Sequence, residues 1–81
     1  MIVMSFRTQE NQKAVLDKAI EYFVDDVGWK IAEQDSCCVI FRDNKAGYVS
    51  LTFSQEEREI EVNVETRDYE YNVKEFVSRF K

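Results

Sequence analysis

Cys38-Val39-Ile40-Phe41-Arg42, Tyr48-Val49-Ser50-Leu51-Thr52-Phe53 and Glu59-Ile60-Glu61-Val62-Asn63-Val64-Glu65 decide the fold, because apolar and polar side chains alternate in each segment. Successive side chains of a strand point to opposite faces, so Val39 and Phe41, then Val49, Leu51 and Phe53, then Ile60, Val62 and Val64 share one buried face. The links Asn44 to Gly47 and Gln55 to Arg58 are polar and of hairpin length, which makes the three segments consecutive strands of an antiparallel meander. These links suggest a register. Phe41 pairs with Val49 and Val39 with Leu51, then Phe53 with Ile60, Leu51 with Val62 and Val49 with Val64.

On either side of the meander the period lengthens. Ala14, Val15, Leu16, Ala19, Ile20, Phe23, Val24 and Val27 recur at intervals of three and four, which predicts a helix from Gln9 to Val27 with Thr8 as its N-cap. Gly28 supplies the left-handed residue that commonly ends a helix, and Trp29 follows as the apolar cap partner. Val73, Phe76, Val77 and Phe80 mark a second helix, capped by Asn72 with Glu75 or, one turn earlier, by Asp68. Laying both helices on the apolar face of the sheet gives an α+β fold in the order α-β-β-β-α, with three to four strands. The fourth is Trp29 to Gln34, read either as a strand or as a loop, and Ile2, Met4 and Phe6 alternate as a short edge strand would. A turn with an odd number of residues before Cys38 points Trp29 and Ile31 inward beside Val39 and Phe41, and an even one points them outward. The inward register is expected, with Trp29 buried against Phe41 and the first helix, because a large aromatic is more often core than surface.

Eighty-one residues suffice for one hydrophobic core, since a chain of this size buries only roughly 60% of its unfolded surface. An apolar fraction of 44% is too high for a disordered tail, so a single domain over residues 1–81 is expected. The net charge is −5, and the Lys and Arg residues are scattered from Arg7 to Lys81 rather than gathered on one face, which argues against nucleic acid as a partner. No stretch approaches the roughly 20 apolar residues of a membrane span, and the start of the chain lacks the basic and apolar regions of a signal peptide. A cytoplasmic location and no membrane partner are expected.

Motifs with chemistry are few. Without histidine the chain cannot build a Ser-His-Asp or Cys-His constellation of its own. Cys37 and Cys38 are adjacent, and in an extended strand they would point to opposite faces, one inward and one outward, without readily pairing. Two thiols and no histidine do not make a closed zinc site. Asp43-Asn44-Lys45-Ala46-Gly47 has the first aspartate of a calcium loop but Lys45, Tyr48 and Ser54 where an oxygen ligand, glycine and glutamate are needed, so it reads as a turn. Two glycines cannot form a phosphate loop. Neither a cofactor, a metal site nor a catalytic residue is assigned.

The order helix, three strands, helix resembles the double-stranded RNA-binding domain in topology. That resemblance implies a lysine-rich start to the second helix, reading phosphates. Here the helix offers only Lys74, Arg79 and Lys81 amid Glu70 and Glu75.

The outward sheet face is the more informative surface. It carries Cys38, Ile40 and Arg42, then Tyr48, Ser50 and Thr52, then Glu59, Glu61, Asn63 and Glu65. A small apolar centre beside an acidic strip suits a protein partner with a basic rim, and the residues expected to meet it are Ile40, Tyr48, Ser50, Thr52, Glu59, Glu61 and Glu65. The function expected is a small non-enzymatic interaction module, a regulator or assembly factor, working through this face or a strand edge. A homodimer is one form it could take. The alternative is a carboxylate-based cation or small-ligand binder, or an enzyme completed by a second subunit, and it needs several of Asp25, Asp26, Asp35 and Asp43 to gather in one pocket.

Overall fold

A computed structural model describes residues 2–80; Met1 and Lys81 lie outside it. The chain runs β1 (Ile2–Thr8), α1 (Gln12–Ile20) continuing as a π-helical segment (Glu21–Asp26), β2 (Lys30–Gln34), β3 (Cys38–Arg42), β4 (Tyr48–Glu56), β5 (Glu59–Thr66) and α2 (Glu70–Ser78). All strands join one antiparallel sheet in the order β1-β5-β4-β3-β2. The α+β class and the meander hold, and the segment from Trp29 to Gln34 does contain a strand. The alternation of Ile2, Met4 and Phe6 belongs to a fifth strand, β1, which closes the β5 side of the sheet.

The inner face carries Val39, Phe41, Val49, Leu51, Val62 and Val64, each at most 1% exposed, and both helices cover it. Phe23 is the hinge of this layer. Its ring centroid lies 5.0 Å from Phe41 on the sheet and 5.2 Å from Phe76 on α2, so one side chain ties α1 to both other elements. Burying such a ring stabilises the fold by roughly 1.5–3 kcal/mol.

The helix boundaries are shorter than the periodicity predicts. Thr8 does not cap α1, because it still pairs with Ile60 as the last residue of β1. The cap is Asn11, whose Oδ1 accepts from the Ala14 N–H at 2.8 Å. At the other end the helix widens, and the Val27 N–H reaches the Tyr22 carbonyl five residues back. Gly28 then turns at φ +95° and the Trp29 N–H reaches the Phe23 carbonyl, a glycine cap one residue wider than the usual one. For α2 neither Asn72 nor Asp68 is the cap. The helix starts after Tyr69 with no side-chain cap, and Asn72 sits inside it, where its Nδ2 donates to the Tyr22 hydroxyl at 3.3 Å.

The first hairpin has the expected register, Phe41 opposite Val49 and Val39 opposite Leu51. The second is displaced by two residues. Phe53 faces Val62, Leu51 faces Val64 and Val49 faces Thr66. The cause is a turn centred one residue later, between Glu57 and Arg58, in which Glu56 and Glu59 still pair and only Glu57, at φ 52°, and Arg58 reverse the chain. A shift of two leaves every side chain on its expected face.

Thr66 thereby becomes the one buried polar side chain among the described residues, and its hydroxyl is used twice. It donates to the Tyr48 carbonyl at 2.7 Å and accepts from the Tyr69 N–H at 3.1 Å, fixing where the chain leaves the sheet for α2. Tyr69 then lies over Gly47, where a Cβ would stand 2.7 Å from its hydroxyl oxygen, too close for any other residue without movement.

Trp29 points inward as expected but is only half-buried. It stacks on Phe23 at 5.5 Å and meets Tyr69 in a tilted contact at 4.4 Å, and Phe23 stands between it and Phe41. The inward direction has an unexpected origin. Gln34 pairs with Val39 and Glu33 with Ile40, the even parity that points Ile31 outward, and a bulge at Ala32 then restores Ile31 to a place opposite Phe41.

Candidate interaction surface

With both helices on the inner side, the outer face of the sheet is bare. Ile40, Tyr48, Ser50, Thr52, Glu59, Glu61 and Glu65 all lie on it, and the pairings arrange them in rows across the strands. Lys30, Arg42 and Tyr48 form one end row. Glu33, Ile40, Ser50, Glu65 and Val3 follow, then Cys38, Thr52, Asn63 and Ser5. Ser54, Glu61 and Arg7 come next, and Glu56 with Glu59 closes the far end. The face is thus positive at one end and negative at the other, and between them the row with Glu33 and Glu65 precedes an uncharged row of Cys38, Thr52, Asn63 and Ser5. β1 contributes Val3, Ser5 and Arg7, which the strand reading had left out. Their alternation with Ile2, Met4 and Phe6 was the available signal.

The acidic strip is less free than its spacing suggests. The Arg7 Nε lies 3.7 Å from Glu61, both partly exposed, an ion pair worth about 0–1 kcal/mol. Glu65 accepts a hydrogen bond from the Tyr48 hydroxyl at 3.1 Å. That bond, together with desolvation and the carboxylate's charge, holds the Tyr48 phenol above the usual tyrosine value, with Arg67 pulling the other way. The Arg42 guanidinium sits 5.8 Å from the Tyr48 ring centroid. Tyr48 is therefore the most constrained side chain of the face, held at its carbonyl, ring and hydroxyl. On the uncharged band Ser5 donates to the Asn63 Oδ1 at 2.6 Å.

Glu59 also borders an open cleft of about 460 Å³, lined by Arg7, Gln9, Glu56, Glu57, Arg58 and Glu59 at the tip of the second hairpin. Charges of both signs and no apolar wall line it, so it has nothing with which to enclose a small molecule.

The cysteines differ from expectation. Cys37 and Cys38 are joined in a disulfide between neighbouring residues. Cys37 lies in the turn between β2 and β3, where its N–H donates to Asp35 Oδ1 at 3.0 Å, so the backbone is not extended there and the sulfurs need not diverge. Asp35, Cys37 and Cys38 are the one group of three such side chains close enough to share an ion among the described residues. Neither sulfur is a thiolate while they are bonded to each other. Asp25, Asp26, Asp35 and Asp43 do not gather. Asp26 lies 3.9 Å from Arg79, and Asp43 Oδ1 holds its own turn by accepting from the Lys45 and Gly47 N–H groups.

No helix among the described residues is long and apolar enough to cross a membrane. No protein-family model matches the chain, and comparison with curated proteins and with solved structures finds no match either. The class that stands is the α+β one, defined by a five-stranded antiparallel sheet covered by helices on one face.

Proposed function

We propose that the protein is a small non-enzymatic interaction module, a regulator or assembly factor, that holds a partner protein on the outer face of its sheet. The observation that supports this reading is the bare face itself, where a band of Ile40, Ser50 and Thr52, flanked by Glu33 and Glu65, is set between a positive and a negative end. A flat band of small side chains lets a partner approach closely, and charges at its two ends orient that partner. The partner that fits carries acidic groups over Lys30 and Arg42 and basic groups over Glu56, Glu59 and Glu61. The same reading places the chain in the cytoplasm, where reductants open an exposed disulfide such as Cys37–Cys38, and it does not depend on the state of that pair.

Affinity purification with the wild-type chain and with Ile40→Glu tests it. A partner held on this face is recovered with the first and lost with the second, while circular dichroism shows the fold unchanged. Replacing Glu61 and Glu65 with Gln then slows association and flattens its salt dependence. Equal recovery of the same partner with wild type and Ile40→Glu overturns the reading.

A further inference from the structure

The two edges of the sheet are not equally guarded. β2 has a bulge at Ala32 and charged Lys30 and Glu33, the usual devices that keep an edge from pairing with another chain. β1 has no bulge and a single charge. Its seven residues pair with β5 without a register shift, they include neither proline nor glycine, and their single charge is Arg7. Alternate residues of such a strand turn their N–H and C=O groups away from the sheet. Apolar side chains beside that edge are also left partly open: Ile2, Met4 and Phe80 are half-buried and Val3 is 59% exposed. Phe80 stacks on Phe6 at 4.7 Å, so the turn that follows α2 brings apolar surface to the same edge.

We propose that β1 is the contact strand of a symmetric dimer, in which two copies pair antiparallel through β1 about a twofold axis at Ser5 and join their sheets into one. The sequence of β1 fits itself in this register. Ser5 faces Ser5, Met4 faces Phe6 and Ile2 faces Thr8, so the inner face stays largely apolar across the junction. Val3 faces Arg7, which keeps the two arginines apart. The row on the outer face then reads Glu65, Val3, Arg7 of the second copy and that copy's Glu61, since Val3 pairs with Glu65 and Arg7 with Glu61 within each chain. Two strand spacings, roughly 10 Å, separate Glu65 from the incoming Arg7, a span that two long side chains reach across. The cation is flanked by carboxylates from both copies. This charge complementarity selects a second copy over an arbitrary extended peptide, and the occupant is present whenever the protein is.

The inference is independent of the outer-face reading, and Ile40→Glu is expected to leave the dimer intact. Sedimentation equilibrium of the wild-type chain from micromolar to millimolar concentration should show monomer giving way to dimer. Ser5→Lys sets two ammonium groups opposite each other and should return the protein to monomer with its circular dichroism unchanged. In a background carrying Cys37→Ser and Cys38→Ser, mild oxidation of Ser5→Cys should yield a covalent dimer, and Glu33→Cys on β2 should not. A wild-type chain monomeric at every concentration overturns the proposal. So does a dimer that crosslinks through Glu33→Cys rather than Ser5→Cys.

Discussion

β1 and β2 are both outer strands of one sheet, yet β1 lies under an aromatic layer and β2 does not. Phe6 of β1 is 8% exposed because Phe76 of α2 and Phe80 in the turn after it cover it, whereas every residue of β2 is exposed, Ile31 by 39%. What reaches across to β2 is Trp29, held by Phe23 and Tyr69 and itself half-buried. The difference teaches that strand pairing alone does not bury an edge. A helix has to extend over it, and α2 lies over the β1 side.

The largest expected effect follows from that asymmetry. Phe6→Ala should cost about 3–5 kcal/mol, because it empties a closed aromatic site, and Ile31→Ala about 1 kcal/mol or less, because its side chain is 39% exposed and leaves no closed cavity. Urea denaturation of both variants measures the contrast. Equal losses would erase the distinction between the edges.

Trp29→Ala should fall between them, at about 2–3 kcal/mol, since a half-buried indole packed against two rings forfeits those contacts without leaving a closed cavity. Full burial against Phe41 would have implied about 3–5 kcal/mol. Indole fluorescence is the direct check. An emission maximum intermediate between buried and water-exposed tryptophan is expected, and a fully water-exposed spectrum would remove the one aromatic bridge to β2.

Much of this arrangement was legible in the sequence, for reasons that also explain the misses. Alternation in Val49-Leu51-Phe53 and Ile60-Val62-Val64 is enforced by burial of one face, so it marks the inner side chains whatever the register. The register itself depends on where the turn is centred, and a sequence with no glycine or asparagine in 55–58 gives no sign that Glu57 adopts a positive φ. β1 was visible only as a short alternation because its partner strand lies 58 residues away, as between Ser5 and Asn63. The Ala32 bulge leaves no trace in composition, and so the right direction for Trp29 came from the preference of aromatics for the core, not from the parity of the turn. On the outer face the residue set could be read from alternation, but the partners of its carboxylates, Arg7 for Glu61 and Tyr48 for Glu65, required the pairings of two hairpins and an edge.

The smallest expected effect links the middle of the sheet to the β1 edge. The Tyr48 hydroxyl donates to Glu65, and Glu65 lies beside Val3 in the pairing with β1. Ionising the phenol would set two anions against each other, so the folded state keeps this proton to higher pH than the unfolded chain does. The contact therefore supports the fold below the pH at which an unfolded tyrosine ionises, and its contribution disappears as pH rises through the higher folded-state value. Glu65→Gln should lower the Tyr48 transition, read as the phenolate absorbance that Tyr48→Phe removes; a transition unmoved by Glu65→Gln would show that the hydrogen bond does not hold the proton. If two copies meet through β1, the incoming Arg7 stabilises the Glu65 carboxylate and offsets part of its repulsion of the phenolate. The Tyr48 transition should then shift slightly downward as protein concentration rises in the wild type and stay fixed in Ser5→Lys, which makes one phenol a reporter of the unguarded edge.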